Sequence, residues 1–98
     1  MSGLVVQDVA TKETQKLEVQ GIFLAVGYVP NTKWLEGAVA CNDYGYIIAG
    51  EDTKTNISGV FVAGDVRTKK LRQVATAVAD GAVAASEAAE YISSGAAQ

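Results

Sequence analysis

Apolar positions along this chain follow two different rhythms, and the change falls near residue 71. Leu4 to Val9 is rich in β-branched residues with no helical period and reads as a strand. The polar run Thr11-Lys12-Glu13-Thr14 reads as a turn, and Leu17, Val19 and the block Ile22-Phe23-Leu24-Ala25-Val26 resume the strand pattern. Two such runs around a short polar turn predict a β-hairpin. The second run is continuously apolar, so it is expected to be buried on both faces. Gly27 stops it, and Pro30 fixes one φ angle in a turn that biases Val29 toward extended backbone. A short helical turn is expected at 33–35. Further short strands are expected at Tyr46-Ile47-Ile48 and Val60-Phe61-Val62-Ala63, separated by the turn Asn42 to Gly45 and the polar loop Glu51 to Asn56. Beyond the charged loop, Leu71, Val74, Val78, Ala82, Ala85, Ala89 and Ile92 recur at steps of three and four, the signature of one face of a helix about 20 residues long. Eight alanines between Leu71 and Ser93 favour that helix intrinsically. Gly81 interrupts them, and its expected use is to let another backbone come close. Ser93-Ser94-Gly95 ends the helix, and the last residues are expected to fray.

Composition narrows the function. Ninety-eight residues suit one small domain, and 49% hydrophobic content argues for a folded chain. Much of that content is alanine and valine, which bury little area each, so the core is expected to be thin or completed by another body. Net charge is −3, and the nearest thing to a basic patch is Arg67, Lys69, Lys70 and Arg72. Read alone, that cluster is a solvated loop, and no aromatic residue is interleaved for stacking on bases, so nucleic-acid binding is not expected. With no histidine and one cysteine, Cys41, the usual metal sites, a Ser-His-Asp triad and an intrachain disulfide are all excluded. Cys41 reads as a small buried hydrophobe. No apolar run has the ~18 residues of a membrane span, and the expected compartment is the cytoplasm.

The stretch Thr55 to Val74 carries the most chemistry. An apolar strand ends in Gly64-Asp65, a loop follows, and Arg72-Gln73-Val74 begins the long helix. Ligands of α/β sheets sit beyond the carboxyl ends of strands, which is where Asp65 falls. Gly64 lacks a Cβ and permits close approach, while a carboxylate at Asp65 can accept hydrogen bonds from sugar-like hydroxyls. The first N–H groups of the helix lack intrahelical partners and suit an electron-rich carbonyl, such as the pyrimidine end of a flavin. A lone Gly-Asp is equally a simple turn, and Arg72 equally a surface charge.

The larger pattern is more specific. Thr55, Val60, Phe61, Ala63, Gly64, Asp65, Val66, Arg72 and Gln73 together resemble the FAD signature of the thioredoxin reductases. The segment Val19 to Thr32, ending Gly27-Tyr28-Val29-Pro30-Asn31-Thr32, resembles the strand and hinge that in those flavoproteins close the NADPH domain and return to the FAD domain. The resemblance implies an α/β fold that is part of a two-dinucleotide-binding flavoprotein, with a hairpin and short strands before one long C-terminal helix. It further implies residues 1–27 in the NADPH-binding domain and 28–98 in the FAD-binding domain. By the same resemblance Gly64, Asp65 and Val66 face the ribityl chain, and Arg72, Gln73 and Val74 lie along the isoalloxazine ring. Val66, and Arg72 rather than Lys before Gln73, favour the thioredoxin-reductase branch over the related peroxide-reductase flavoproteins.

The reaction this resemblance implies passes electrons from NADPH to FAD, then to a Cys-x-x-Cys dithiol, then to thioredoxin or a similar acceptor. Disulfide exchange needs one sulfur to attack and a second to resolve, and this sequence offers only Cys41. It also lacks the G-x-G-x-x-G loops that seat dinucleotide pyrophosphates. No catalytic residue is therefore assigned, and without the remainder of a parent enzyme the chain is expected to be inactive and, holding only part of the FAD site, to bind flavin weakly or not at all. Unpaired strands and an apolar helix face predict a homo-oligomer. Two alternatives share these features: an autonomous binding or oligomerisation module, and part of a ferredoxin/NADP reductase of the same fold.

Overall fold

The computed structural model describes residues 2–35 and 37–96. A hairpin forms from β1 (Leu4–Gln7) and β2 (Thr14–Leu17), paired antiparallel with Leu4 opposite Leu17 and Gln7 opposite Thr14, so the second strand begins within the expected turn and ends where the expected strand was to begin. Asp8 shapes the connection: its Oδ1 accepts the backbone N–H groups of Ala10 and Thr11, both at 2.8 Å. Lys12 takes the left-handed conformation (φ 64°), and its N–H returns to the Asp8 carbonyl at 3.0 Å.

After Leu17 the structure departs from the expectation. Ile22 to Val26 forms no strand, and instead of being buried on both faces it is solvent-exposed, with Phe23 101% and Val26 93% accessible. A continuously apolar strand is stable only between two neighbours and beneath covering layers, and the hairpin supplies neither. This segment joins the hairpin to a C-terminal body. The Cα radius of gyration is 20.1 Å, with extents of 64 × 27 × 23 Å. A compact chain of this length would have a radius of about 13 Å, so the hairpin stands away from the body as an arm.

The body centres on Ile47, Ala49 and Val62, with Leu35, Val39, Cys41 and Val66 packed against them. The thin core is as the composition implies. The expected strands at 46–48 and 60–63 are corrected to isolated bridges: Cys41 with Ile47, Ile47 with Arg67, and Lys54 with Phe61. Ile47 is the junction, its N–H donating to Val66 O and its carbonyl accepting Thr68 N–H, each at 2.8 Å. Cys41 is half-buried and donates its Sγ–H to Val39 O at 3.6 Å, as a small apolar residue with a weak donor does. The turn at Lys33–Leu35 is a single 3-10 turn.

Helix α1 runs Val74–Ser93, close to the expected length, with Gln73 as N-cap and Ser94 as C-cap. Gly95 follows at φ 77°, the left-handed stop that favours glycine. The fraying expected of the final residues falls partly on 97 and 98, which lie outside the described residues. The helix turns Ala77, Asp80, Ala84, Glu87, Ala88 and Tyr91 toward the body. Tyr91 meets Phe61 edge-to-face at 6.3 Å, its ring covering Gly59. The predicted apolar stripe lies elsewhere and is open: Val74, Val78 and Ile92 are 82%, 68% and 69% exposed. Among the described residues nothing outside the helix comes within 4 Å of where a Cβ on Gly81 would sit, so the close approach expected there is not made.

Candidate functional site

The segment 63–73 is a loop fastened at several points to α1 and to the body. Gly64 adopts φ 87°, a conformation that costs an L-residue about 1 kcal/mol or more, so glycine is needed here for the backbone. Crowding is not the reason, since an added Cβ would rest at an ordinary 3.8 Å from Ala77 Cβ. Asp65 is exposed, and Val66 turns inward against the core. The Arg67 N–H donates back to Gly64 O at 3.3 Å, closing the turn.

The loop is held by a buried charge cluster. Asp80, on the inner face of α1, accepts Arg67 Nε–H at Oδ2 (2.8 Å) and Arg67 Nη2–H at Oδ1 (2.7 Å). The same Oδ2 accepts Lys69 Nζ–H (2.8 Å) and the Gly64 backbone N–H (3.0 Å). Arg67 and Asp80 are 2% and 5% exposed, and the Lys69 side chain 4%. Arg67 also donates Nη1–H to Thr68 O at 2.9 Å and reaches the exposed Glu51 at 3.3 Å. Hydrogen bonds from Arg67, then Lys69 and Gly64, hold the Asp80 carboxyl far below the ordinary carboxylate range against the opposing effect of burial. The same pair raises the guanidinium of Arg67 further.

This corrects the reading of Arg67, Lys69, Lys70 and Arg72 as one solvated basic loop. Arg67 and Lys69 are buried partners of Asp80, and Lys70 is exposed. Arg72 folds back over the loop, donating Nε–H to Asp65 O (2.9 Å) and Nη2–H to Arg67 O (3.1 Å). Its guanidinium lies 3.9 Å from the Tyr46 ring centroid, a cation–π stack. The pairing escaped sequence reasoning, yet it left a trace. Asp80 is the one charge between Arg72 and Glu87 in an alanine-rich helix, and a charge on an inward face needs a partner.

The six residues singled out from the sequence thus fall into two groups joined by Arg72. Gly64, Asp65 and Val66 form the turn; Gln73 and Val74 form the open start of α1, both exposed. The Gln73 N–H donates to Thr76 Oγ1 at 3.0 Å, and the N–H groups of Val74 and Ala75 have no acceptor among the described residues. An exposed carboxylate acceptor on Asp65 and two free N–H donors at a helix N-terminus suit hydroxyls on one side and a carbonyl or anion on the other. Among the described residues no group of three or more His, Cys, Asp or Glu side chains is placed to hold a metal, and no helix is long and apolar enough to cross a membrane.

Comparison with known proteins identifies the family. Residues 2–81 match the family model described as pyridine nucleotide-disulphide oxidoreductase. A thioredoxin reductase of Peptoclostridium acidaminophilum is 51% identical over 72 residues, which are 74% of this chain and 23% of that protein. A component of the alkyl hydroperoxide reductase of Staphylococcus epidermidis is 40% identical over 92 residues, 94% of this chain and 18% of that one. The crystal structure of Lactococcus lactis thioredoxin reductase superposes with a TM-score of 0.81 at 38% identity, over 95% of this chain and 31% of that chain. The chain spans less than a third of the length of each of these proteins. With a family model over most of its residues and the fold of a thioredoxin reductase, the chain belongs to the pyridine nucleotide-disulphide oxidoreductase family.

Proposed function

We propose that this chain supplies the C-terminal part of the FAD site of an NADPH-dependent thioredoxin reductase. The observation that carries the reading is the exposed Asp65 carboxylate, its backbone held by Arg72, together with the start of α1, where the N–H groups of Val74 and Ala75 have no acceptor among the described residues. In this reading Asp65 accepts hydrogen bonds from the ribityl hydroxyls, with Gly64 and Val66 setting its turn. The N–H groups of Val74 and Ala75, after Arg72 and Gln73, face the carbonyl edge of the isoalloxazine ring. FAD held there would supply the redox chemistry. The chain's own residues bind and orient. These groups fit the polyol and carbonyl ends of the cofactor, while the pyrophosphate has no glycine-rich loop in this sequence. Family membership and the thioredoxin-reductase relatives support the redox assignment, and the same relatives support thioredoxin or a similar acceptor as the parent's partner. The match to a peroxide-reductase component at 40% identity shows that this region is similar in both branches, so the branch choice rests on Val66 and Arg72.

The hairpin arm fits the end of an NADPH domain (1–27) and the body the end of an FAD domain (28–98). The extended segment after Leu17 has the geometry of a connection between two such units. Titration of the purified chain with FAD, followed by flavin fluorescence and repeated with Asp65→Ala, tests the reading. Saturable binding lost in the variant supports it; equal binding by both removes Asp65 from the site. No binding at all shows that the site needs the remainder of a parent enzyme to hold flavin.

A further inference from the structure

Three consecutive peptide units around Asp65 are fastened by three different groups. The Gly64 N–H is held by Asp80 Oδ2 at 3.0 Å, the Gly64 carbonyl by the Arg67 N–H at 3.3 Å, and the Asp65 carbonyl by Arg72 Nε–H at 2.9 Å. Arg67 is itself gripped by both oxygens of Asp80, and its carbonyl accepts Arg72 Nη2–H at 3.1 Å. The backbone of the turn therefore traces to one carboxylate on α1, while the Asp65 side chain carries no hydrogen bond of its own among the described residues and stays exposed. A flexible surface aspartate must lose rotational and backbone freedom to meet a ligand. One mounted on a fixed turn has lost much of that freedom on folding.

We propose that Asp80 is a positioning residue for Asp65: through Gly64 and Arg67 it fixes the turn that presents the Asp65 carboxylate beside the N-terminus of α1. The proposal rests on the flavin reading above for the identity of the ligand, and on the hydrogen bonds alone for the positioning. Asp80 is buried against the loop and touches no ligand. Its effect on binding passes entirely through the orientation of Gly64 and Asp65.

A double-mutant cycle on the full chain tests this, with FAD affinity read by flavin fluorescence and folding by the helical circular dichroism of α1. Asp80→Asn and Asp65→Asn are each expected to weaken binding about tenfold or more, the scale of losing a hydrogen bond to a charged group. The double variant is expected to be no weaker than the poorer single one, because both act on one interaction. Folded Asp80→Asn with unchanged affinity, or losses that multiply, overturns the proposal. If the unaltered chain binds no FAD, the site needs the remainder of a parent enzyme to hold flavin, and the Gly64 amide decides the positioning. Its proton is expected downfield and protected from exchange, and to lose both in Asp80→Asn; an unmoved Gly64 amide overturns the proposal. Should Asp80→Asn lose the α1 signal, Asp80→Glu takes its place, keeping the charge and shifting the oxygens by one methylene, with the same expected losses and the same overturning result.

Discussion

Replacing Asp80 by Asn removes one charge and keeps the shape, and it leaves Arg67, 2% exposed, facing an amide. The remaining anion, Glu51, is 3.3 Å away with a side chain 93% exposed, so solvent screens most of what it offers. Breaking a buried pair from one side costs about 3–5 kcal/mol, because the surviving charge stays desolvated. Among the described residues the core holds three buried hydrophobic side chains, so the stability belongs at the low end of the usual ~5–15 kcal/mol. At a urea slope of about 1.5 kcal/mol per molar, the loss moves the midpoint down by roughly 2–3 M. The control is Glu51→Gln, expected to cost about 1 kcal/mol or less. Urea unfolding followed by the circular dichroism of α1 measures both. The sign of the pH dependence follows from the same pair. The Asp80 carboxyl is held below its unfolded value, so its stabilisation is complete above the ordinary carboxylate range of about 4 and drains away as pH falls below it. Asp80→Asn removes this contribution to the acid slope. A loss under about 1 kcal/mol, or one equal to that of Glu51→Gln, refutes the view that the cluster holds the body together.

Other positions give sharper local tests. Gly64→Ala is expected to cost about 1–2 kcal/mol through its φ of 87° alone, measured by thermal unfolding. Gly59→Ala should cost more, since it adds a Cβ 3.0 Å from the Tyr91 ring to a φ of 82°. Thr53→Val is expected to stabilise the chain by about 1 kcal/mol, because Thr53 is fully buried and its hydroxyl has no hydrogen-bond partner among the described residues. Light scattering is expected to give a mass above that of one chain, reduced when exposed Phe23 and Leu24 are replaced by serine; a monomer before substitution would count against self-association.

What could be read from sequence was what is local. The hairpin, the 3-10 turn at Lys33–Leu35 and α1 are each specified by residues within a few positions of one another, and each is present. The segment Ile22 to Val26 and the strands expected at 46–48 and 60–63 depend on neighbours distant in sequence, and local pattern overstated them. The site divided in the same way. Asp65, Gln73 and Val74 were legible from a turn and a helix start. The role of Asp80 lay in contacts 11 to 16 residues away with Lys69, Arg67 and Gly64, in a loop whose charge pattern reads as solvated.

Asp80 also settles a matter of rotation. On the side of α1 that meets the body, Ala77, Ala84 and Ala88 offer only methyl groups, which give little to distinguish one azimuth of a helix from another; Asp80, Glu87 and Tyr91 supply the distinction. Sliding the helix by one residue turns it about 100°. The Asp80 carboxylate would then swing away from Gly64, Arg67 and Lys69 and leave two cations without it, while Glu87 would leave Lys54 and Tyr91 would leave Phe61. Asp80 thus works as an index mark in the first half of the helix, seconded by Glu87 and Tyr91 near its end, and it makes one angular setting of α1 lower in energy than its neighbours.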